Sequence, residues 1–420
     1  MLTTQRYHYM RVCKMSRSHK KLLTAIFLDS PGLFFVNFIT PVVMHQQFHL
    51  EGWQLGLIFS LQAIGAVVAS GLFALVLSKS FSKRSIISIA SLNKCLAYLI
   101  LFFGIISQEL TAIVISLIVL GASSAIFTLC WETHIAEDKS TQAKGELIGQ
   151  CFKWTGISQM IGSTIAFTMM GMNYGHLLSQ GDQIMGIVIF AIASGFAGIF
   201  GRLAMSPALP QHLRHSLAEK TQDKGNVVLI GLLALVLLGQ TSGSMVAPFL
   251  EMHLLEKLNI TDISQLSLAY VPGAMLSLLF AEKLGKLVDN LKPAHFFAIF
   301  VSVGAVSSWL LVQTDSLWQV SLLFMVDSTI IVSVSIMLLK LVSELSPHRV
   351  ENGLSALSLV SSVGAIIGPA LGGFVWSAET TEGPIWLSVG IDFTVALLGF
   401  SLFTLLTQKE IKLIHSKSSF

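Results

Sequence analysis

The sequence predicts an all-α polytopic membrane protein, with twelve transmembrane helices in two parallel-repeat six-helix bundles. Three observations predict it: a surplus of apolar residues, a one-sided distribution of lysine and arginine, and a repeat relating the two halves of the chain. Of 420 residues, 53% are hydrophobic and only 12% charged, whereas soluble domains carry roughly 25% charged residues. A soluble fold this apolar exposes large sticky patches. A bilayer removes that cost, provided every backbone group bonds within its own helix. The 33 glycines fit as close-packing residues of membrane helices. A net charge of +3 is too small to imply nucleic acid.

A span needs about 20 apolar residues. Candidates run over 22–44, 53–77, 86–107, 110–133, 147–171 and 183–205, and then over 227–249, 264–284, 295–313, 316–340, 353–376 and 385–407. Basic residues test that count. With the N-terminus inside, Arg6 to Lys21, Lys79 to Arg84, Lys139 and Lys144 all fall on the cytoplasmic side. So do Arg202 to Lys224, Lys283 to Lys292, Lys340, Arg349 and Lys409 to Lys417, while only Lys257 falls in an outer loop. The positive-inside rule asks for this asymmetry, and a missed span breaks it. The expected organisation is a cytoplasmic basic tail (1–21), an N-terminal bundle (22–205), a central cytoplasmic linker (206–226), a C-terminal bundle (227–407) and a cytoplasmic tail (408–420). No cleavable signal peptide is evident, and Met15 is a second plausible start besides Met1. Cys13, Cys95, Cys130 and Cys151 imply no disulfide framework.

Offsets of 207–212 residues bring similar features together. Asn37 to Pro41 in span 1 matches Ser244 to Pro248 in span 7, and Gln54-Leu-Gly-Leu matches Gln265-Leu-Ser-Leu at the start of spans 2 and 8. Glu132 matches Glu344, and Gly145 and Gly156 match Gly353 and Gly364. The shift keeps span parity, so the halves share one orientation and are related by an axis along the membrane normal.

Three motifs then resemble the major facilitator superfamily. The first is Gly285-Lys-Leu-Val-Asp289-Asn-Leu-Lys-Pro293 between spans 8 and 9. The resemblance implies that Asp289 caps a neighbouring helix N-terminus in a cytoplasmic gate, where a carboxylate meets the positive end of a dipole. The matching loop between spans 2 and 3 keeps its basic end, Lys83-Arg84, but has Ala74 and Ser78 for the Gly and Asp. Serine caps without charge. The second motif is the span 11 stripe of Gly364, Gly368, Pro369, Gly372 and Gly373, whose spacing suits close helix packing. Drug–proton antiporters of this superfamily carry a similar motif in span 5, where this chain has only Gly149, Gly156 and Gly162. The third is Phe27-Leu-Asp29-Ser-Pro-Gly32 running to Pro41, similar to span 1 of those antiporters.

Charges in a bilayer core mark pathways. Asp29 lies about 10 Å in from the cytoplasmic side and Asp327 about 16 Å from the outer side. In the family fold spans 1, 4, 7 and 10 line the cavity, so both carboxylates are candidates for proton coupling or substrate contact. The bland reading makes each a structural acid. Lys153 and Glu132 are candidate charge partners, with Lys153 expected to pair with Asp29 at matched depth. Lys94, in a span that is usually peripheral, is expected to snorkel. Asp392 reads as structural. Asn37, Gln62, Gln159 and Gln240 are possible substrate contacts.

The expected function is secondary active transport of a small organic solute across the inner membrane by alternating access. It is expected to be proton-coupled, with efflux favoured over uptake of an amino acid, nucleoside or sugar on the span 1 resemblance. Protons, the solute and the bilayer are the expected partners of a monomer, with no nucleic acid, cofactor or metal. An embedded enzyme is the different class, and the sequence holds no H-E-x-x-H, G-x-S-x-G or P-loop for it. A transporter-like sensor is a third class, which long soluble extensions would suggest. The lone Asn259-Ile-Thr261 pattern is too common to argue for glycosylation.

Overall fold

The computed structural model describes residues 17–48, 50, 52–77, 80–137, 144–174, 180–205, 225–258, 263–290, 293–346, 350–378 and 382–417. They form twelve α-helices: α1 (Arg17–Phe48), α2 (Gly52–Leu72), α3 (Lys83–Ile106), α4 (Leu110–Glu137), α5 (Lys144–Tyr174) and α6 (Gln180–Ala204) in the first half. The second half holds α7 (Gly225–Lys257), α8 (Ser267–Asn290), α9 (Pro293–Val312), α10 (Leu317–Leu345), α11 (Val350–Ala378) and α12 (Gly383–Lys417). A π turn, Phe73–Leu77, extends α2, and a 3-10 turn, Ile263–Leu266, precedes α8. Each helix overlaps one sequence-predicted span. Most of the linker and both chain ends lie outside the described residues.

Local chemistry sets several boundaries. The Ser82 hydroxyl accepts from Ser85 N–H to cap α3, and Ser316 accepts from Gln319 N–H to cap α10. The α3–α4 turn is a Schellman closure: Glu109 N–H donates to Gly104 and Gln108 N–H to Ile105. Gln108 there adopts φ 56°, in the left-handed region where glycine is usual. Pro248, Pro272 and Pro369 lie inside helices, which membrane bundles accommodate when neighbours satisfy the freed carbonyls.

Eight helices are individually long and apolar enough to cross a membrane. The outward surface is correspondingly apolar, with Phe103, Trp318, Phe374 and Leu397 each more than 60% exposed. Lipid is the solvent in which such a surface is stable.

Helix pairing repeats with a shift of six. The packed pairs α1–α5, α1–α6, α2–α4, α3–α4 and α3–α6 recur as α7–α11, α7–α12, α8–α10, α9–α10 and α9–α12. Between halves, α2 packs on α11 and α5 on α8, again a symmetric exchange. Glycines permit the closest approaches. A Cβ at Gly368 would fall 2.6 Å from the Thr241 carbonyl of α7, and one at Gly364 would fall 3.0 Å from that of Leu237. Gly372 abuts Met245, whereas Pro369 and Gly373 meet Gly56 of α2. The span 11 motif thus lets α11 press on α7 with one face and on α2 with the other. Ser60 Oγ donates to the Ile366 carbonyl, and Ser70 bonds Ser358, along the α2–α11 seam.

The apolar core is asymmetric along the bundle axis. One end, here the basic face, carries the start of α1 and the end of α12. There a single cluster joins both halves, from Leu22, Ile87, Trp131 and Leu147 to Leu232, Leu284, Ile336 and Leu354. Towards the far face each half has its own cluster: Phe35, Leu101, Leu117 and Ile187 in the first, Leu254, Leu266, Leu311 and Val320 in the second. Across the halves α4 packs on α10 and α11, α5 on α10 and on the 3-10 turn before α8, and α2 on α7. The shared cluster joins the halves at the basic face; towards the far face their apolar clusters are distinct, while Gly56 against Pro369 and α5 against the 3-10 turn still hold the halves in contact.

Candidate functional site

Asp29 and Lys94 form a buried ion pair inside the first half. Lys94 Nζ lies 2.7 Å from Asp29 Oδ2 and also donates to the Asp29 carbonyl at 3.3 Å. Lys94 is 1% exposed and Asp29 6%. Lys94 therefore does not snorkel, and the expected Lys153 partner is replaced. The reason is helical register. On α5 the stripe facing α1 is Trp154, Ser158 and Gly162: the Trp154 ring meets Phe27, Ser158 Oγ donates to the Phe27 carbonyl, and Gly162 abuts Pro31. Lys153 instead falls near the face of Gly149, which abuts Ala281 of α8. One turn above Lys94, the buried Tyr98 hydroxyl sits against Gly32. Neither it nor Asp29 Oδ1 has a hydrogen-bond partner among the described residues.

Two acids inside the second half, Asp327 and Asp392, have no ion pair among the described residues. Asp327 is half-buried in α10, between Phe324 and Ser328, which face Gly273 of α8, and Ile330, which faces Gly304 of α9. The charge acting on it is Asp392 of α12, which itself faces Ser242 of α7. Ser242 and Ser388 share a 2.7 Å hydrogen bond beside that acid. Glu132, also half-buried, acts on the Cys151 thiol of α5. Among the described residues no ion pair joins Glu132, so its expectation as a charge partner finds no counterpart.

Ion pairs bridge the halves at the basic face. Lys83 Nζ reaches Glu137 at 2.9 Å and Glu351 of α11 at 3.1 Å. Reciprocally, Lys286 of α8 reaches Glu146 of α5 at 3.3 Å. Glu146 and Glu351 each sit in the first turn of their helix, where the dipole favours an anion. The hydrogen bond that Lys286 donates to Glu146 holds its ammonium above its ordinary pKa, with the Glu146 charge adding to it. Arg84 Nε donates to the Met205 carbonyl at 2.6 Å, tying α3 to the end of α6. Among the described residues Asp289 makes no helix-capping bond; it pairs with Lys340 of α10 at 2.8 Å. Ser78 lies outside the described residues, and Lys83 supplies the first half's contact despite the lost motif aspartate. Gly285 is buried one turn before Asp289.

The gate glutamates were not among the sequence-predicted residues. A signal existed: each opens a repeat-equivalent helix. Tyr98 had none, since a tyrosine in an apolar run reads as core. The carboxamides Asn37, Gln62 and Gln159 are half-buried and Gln240 is exposed. Among the described residues no cluster of His, Cys, Asp or Glu is disposed to hold a metal.

Comparison with known proteins places this architecture. The chain superposes on the human organic anion transporter MFSD10 (TETRAN) with a TM-score of 0.67 at 13% identity, covering 91% of this chain and 99% of that one. The nucleoside transporter NupG gives 0.62 at 13% identity over 92% and 99%. The transporter FucP, in its outward conformation, gives 0.66 at 12% over 92% and 99%. At these identities the likeness is one of fold. Among proteins of curated function, none matches the sequence. The sequence profile of the Major Facilitator Superfamily matches residues 22–369. With twelve helices in two repeated halves and that match over most of its length, the chain belongs to the Major Facilitator Superfamily and is a membrane transporter, not an enzyme.

Proposed function

We propose that the protein is a proton-coupled secondary transporter of a small organic solute in a cell inner membrane, working as a monomer by alternating access. The observation that carries this reading is the axial asymmetry: one shared core and reciprocal ion pairs at the basic face, two separate cores at the far face. Taking the basic face as cytoplasmic, as the positive-inside rule directs, both termini are cytoplasmic and the shared apolar cluster with its ion pairs forms a cytoplasmic seal. The linker 206–226 then joins the bundles 22–205 and 227–407 on the cytoplasmic side.

Asp327 is the proton carrier in this reading. It lies near the middle of α10, half-buried, with the Asp392 carboxyl of α12 as its neighbouring acid. Asp29 is the second acid, paired with Lys94. Export is supported by the resemblance of the first helix to drug–proton antiporters. Uptake is the second reading, the same cycle run in the opposite direction. Proteoliposomes loaded at a fixed inside pH test both: solute flux should follow an imposed pH gradient, against it in sign for export and with it for uptake. Asp327→Asn should reduce gradient-driven flux at least tenfold while leaving counterflow exchange intact. Gradient-driven flux that survives Asp327→Asn unchanged would sink the proton-carrier assignment.

A further inference from the structure

Helices α1, α3 and α6 bring unpaired polar atoms to one level inside the first half. On α3, Ser91, Lys94 and Tyr98 share one face, and all three are buried. On α6, Phe190, Ser194 and Gly198 recur at every fourth residue and form a second stripe. The stripes run antiparallel and face each other: a Cβ at Gly198 would fall 2.7 Å from Ser91 Cβ, and one at Gly201 2.8 Å from Ile87 Cδ1. Helix α1 completes the group, since Gly32 abuts both the Tyr98 hydroxyl and Phe190 Cβ. Ser194 stands one turn from Phe190 towards the basic face, and Asp29 stands one turn from Gly32 in the same direction. Ser194, Asp29 and Lys94 therefore share a level, and Asp29 is the charge that acts on Tyr98.

Among the described residues Asp29 Oδ1, Tyr98 Oη, Ser91 Oγ and Ser194 Oγ have no hydrogen-bond partner, and all four atoms are buried. Buried serines elsewhere turn back on their own helix: Ser158 donates to the Trp154 carbonyl, Ser163 to that of Gln159 and Ser333 to that of Thr329. Ser91 and Ser194 do not. The group is also enclosed. The Phe35 and Phe190 rings, 5.2 Å apart, cover it towards the far face, and Ile87 on Gly201 covers it towards the basic face.

An orphaned polar atom in apolar surroundings costs free energy, and a buried ion pair is stable only when its remaining lone pairs are met. Lys94 directs N–H donors at Asp29 Oδ2 and at the Asp29 carbonyl, and an ammonium has a third. With it stand the acceptor Asp29 Oδ1 and three hydroxyls that both donate and accept. A buried water takes about two to four such partners, and it bridges polar atoms too far apart to bond directly. The ammonium disfavours a cation there, and the carboxylate disfavours an anion. We infer that the first half encloses a water-binding site between α1, α3 and α6. Water there donates to Asp29 Oδ1 and accepts from Tyr98 Oη, and Ser194 and Ser91 extend the network towards the basic face. It solvates the Asp29–Lys94 pair where bulk solvent does not reach.

Hydroxyl radicals made by X-ray radiolysis arise from bound water as well as bulk, so they oxidise a buried side chain that lies beside an internal water. In purified full-length protein in nanodiscs, Tyr98 should be oxidised several-fold faster than Phe127, a likewise buried ring of the apolar cluster at the basic face. Tyr98→Phe and Ser194→Ala give an independent measurement. Removing a group that anchors a water lowers the melting temperature, whereas removing an orphan from a dry core raises it or leaves it unchanged. Each variant should therefore melt lower, and the double variant should lose less than the sum of the two, because both hydroxyls bind one network. Tyr98 labelled no faster than Phe127 overturns the site, as does a melting temperature that holds or rises in both variants. Strictly additive losses overturn the shared network.

Discussion

Lys94 and Asp29 are the residues for which single and paired substitution should differ most. Removing one member of a buried pair strands the other, at about 3–5 kcal/mol, whereas replacing both by apolar groups is often near neutral. Lys94→Met alone should therefore lower the melting temperature sharply, and Asp29→Leu/Lys94→Met should recover most of the loss. Equal destabilisation in both variants would count against the pair. His253, near the far end of α7, gives the pH counterpart. Its ring is 2% exposed, and neither nitrogen has a partner among the described residues. Burial lowers its pKa, Lys257 lowers it further and Glu382 opposes them. The folded state therefore holds it neutral, and the unfolded chain binds the extra proton first. Its effect on stability is absent above the ordinary histidine value of about 6.5. Stability should fall as pH drops below that value. Melting curves between pH 7.5 and 5 check this, and His253→Asn should flatten the dependence.

At the scale of elements, the turn joining α3 to α4 contains a correctable strain. Gln108 adopts a left-handed conformation that costs an L-residue roughly 1–2 kcal/mol, while glycine adopts it freely but loses more entropy on folding. Gln108→Gly should stabilise the protein by about 0.5–1 kcal/mol, seen as a higher melting temperature with unchanged flux. Elements were also the scale most legible in the sequence. Hydropathy located all twelve helices because lipid demands about 20 apolar residues whatever the neighbours are, and the basic residues fixed which ends belong together. Register was not legible. Lys153 and Lys94 sit at similar depths in the sequence, and only the rotation of α3 and α5 about their axes decides which one meets Asp29. The same limit hid Asp289: its motif was readable, but not the ammonium on α10 that captures it.

For the whole molecule, the closed face rests on unequal supports. Each partly exposed ion pair contributes up to about 1 kcal/mol, so Lys83–Glu351 and Lys286–Glu146 bias the equilibrium between states while the apolar cluster beneath supplies the seal. Glu146→Gln/Glu351→Gln should raise the population opened at this face several-fold. Cys130 and Cys151, both fully buried within that cluster, serve as built-in reporters: maleimide should label them faster in the double variant. Unchanged labelling would mean the ion pairs do not bias the state. The six-helix repeat explains why the two bridges are reciprocal, since a duplicated helix start places a glutamate at each of two symmetric seams.

The Asp29–Lys94 pair also sets a problem of timing. The two residues are separated by 65 positions along the chain, and a ribosome adds ~5–20 residues per second. The first helix is thus made roughly 3–13 s before its counter-ion exists. During that interval the nascent α1 carries its acid unpaired, and the arrival of α3 supplies the ammonium. A contact that ties α1 to α3 in the folded protein is thus also one the chain cannot make until its third helix has been synthesised.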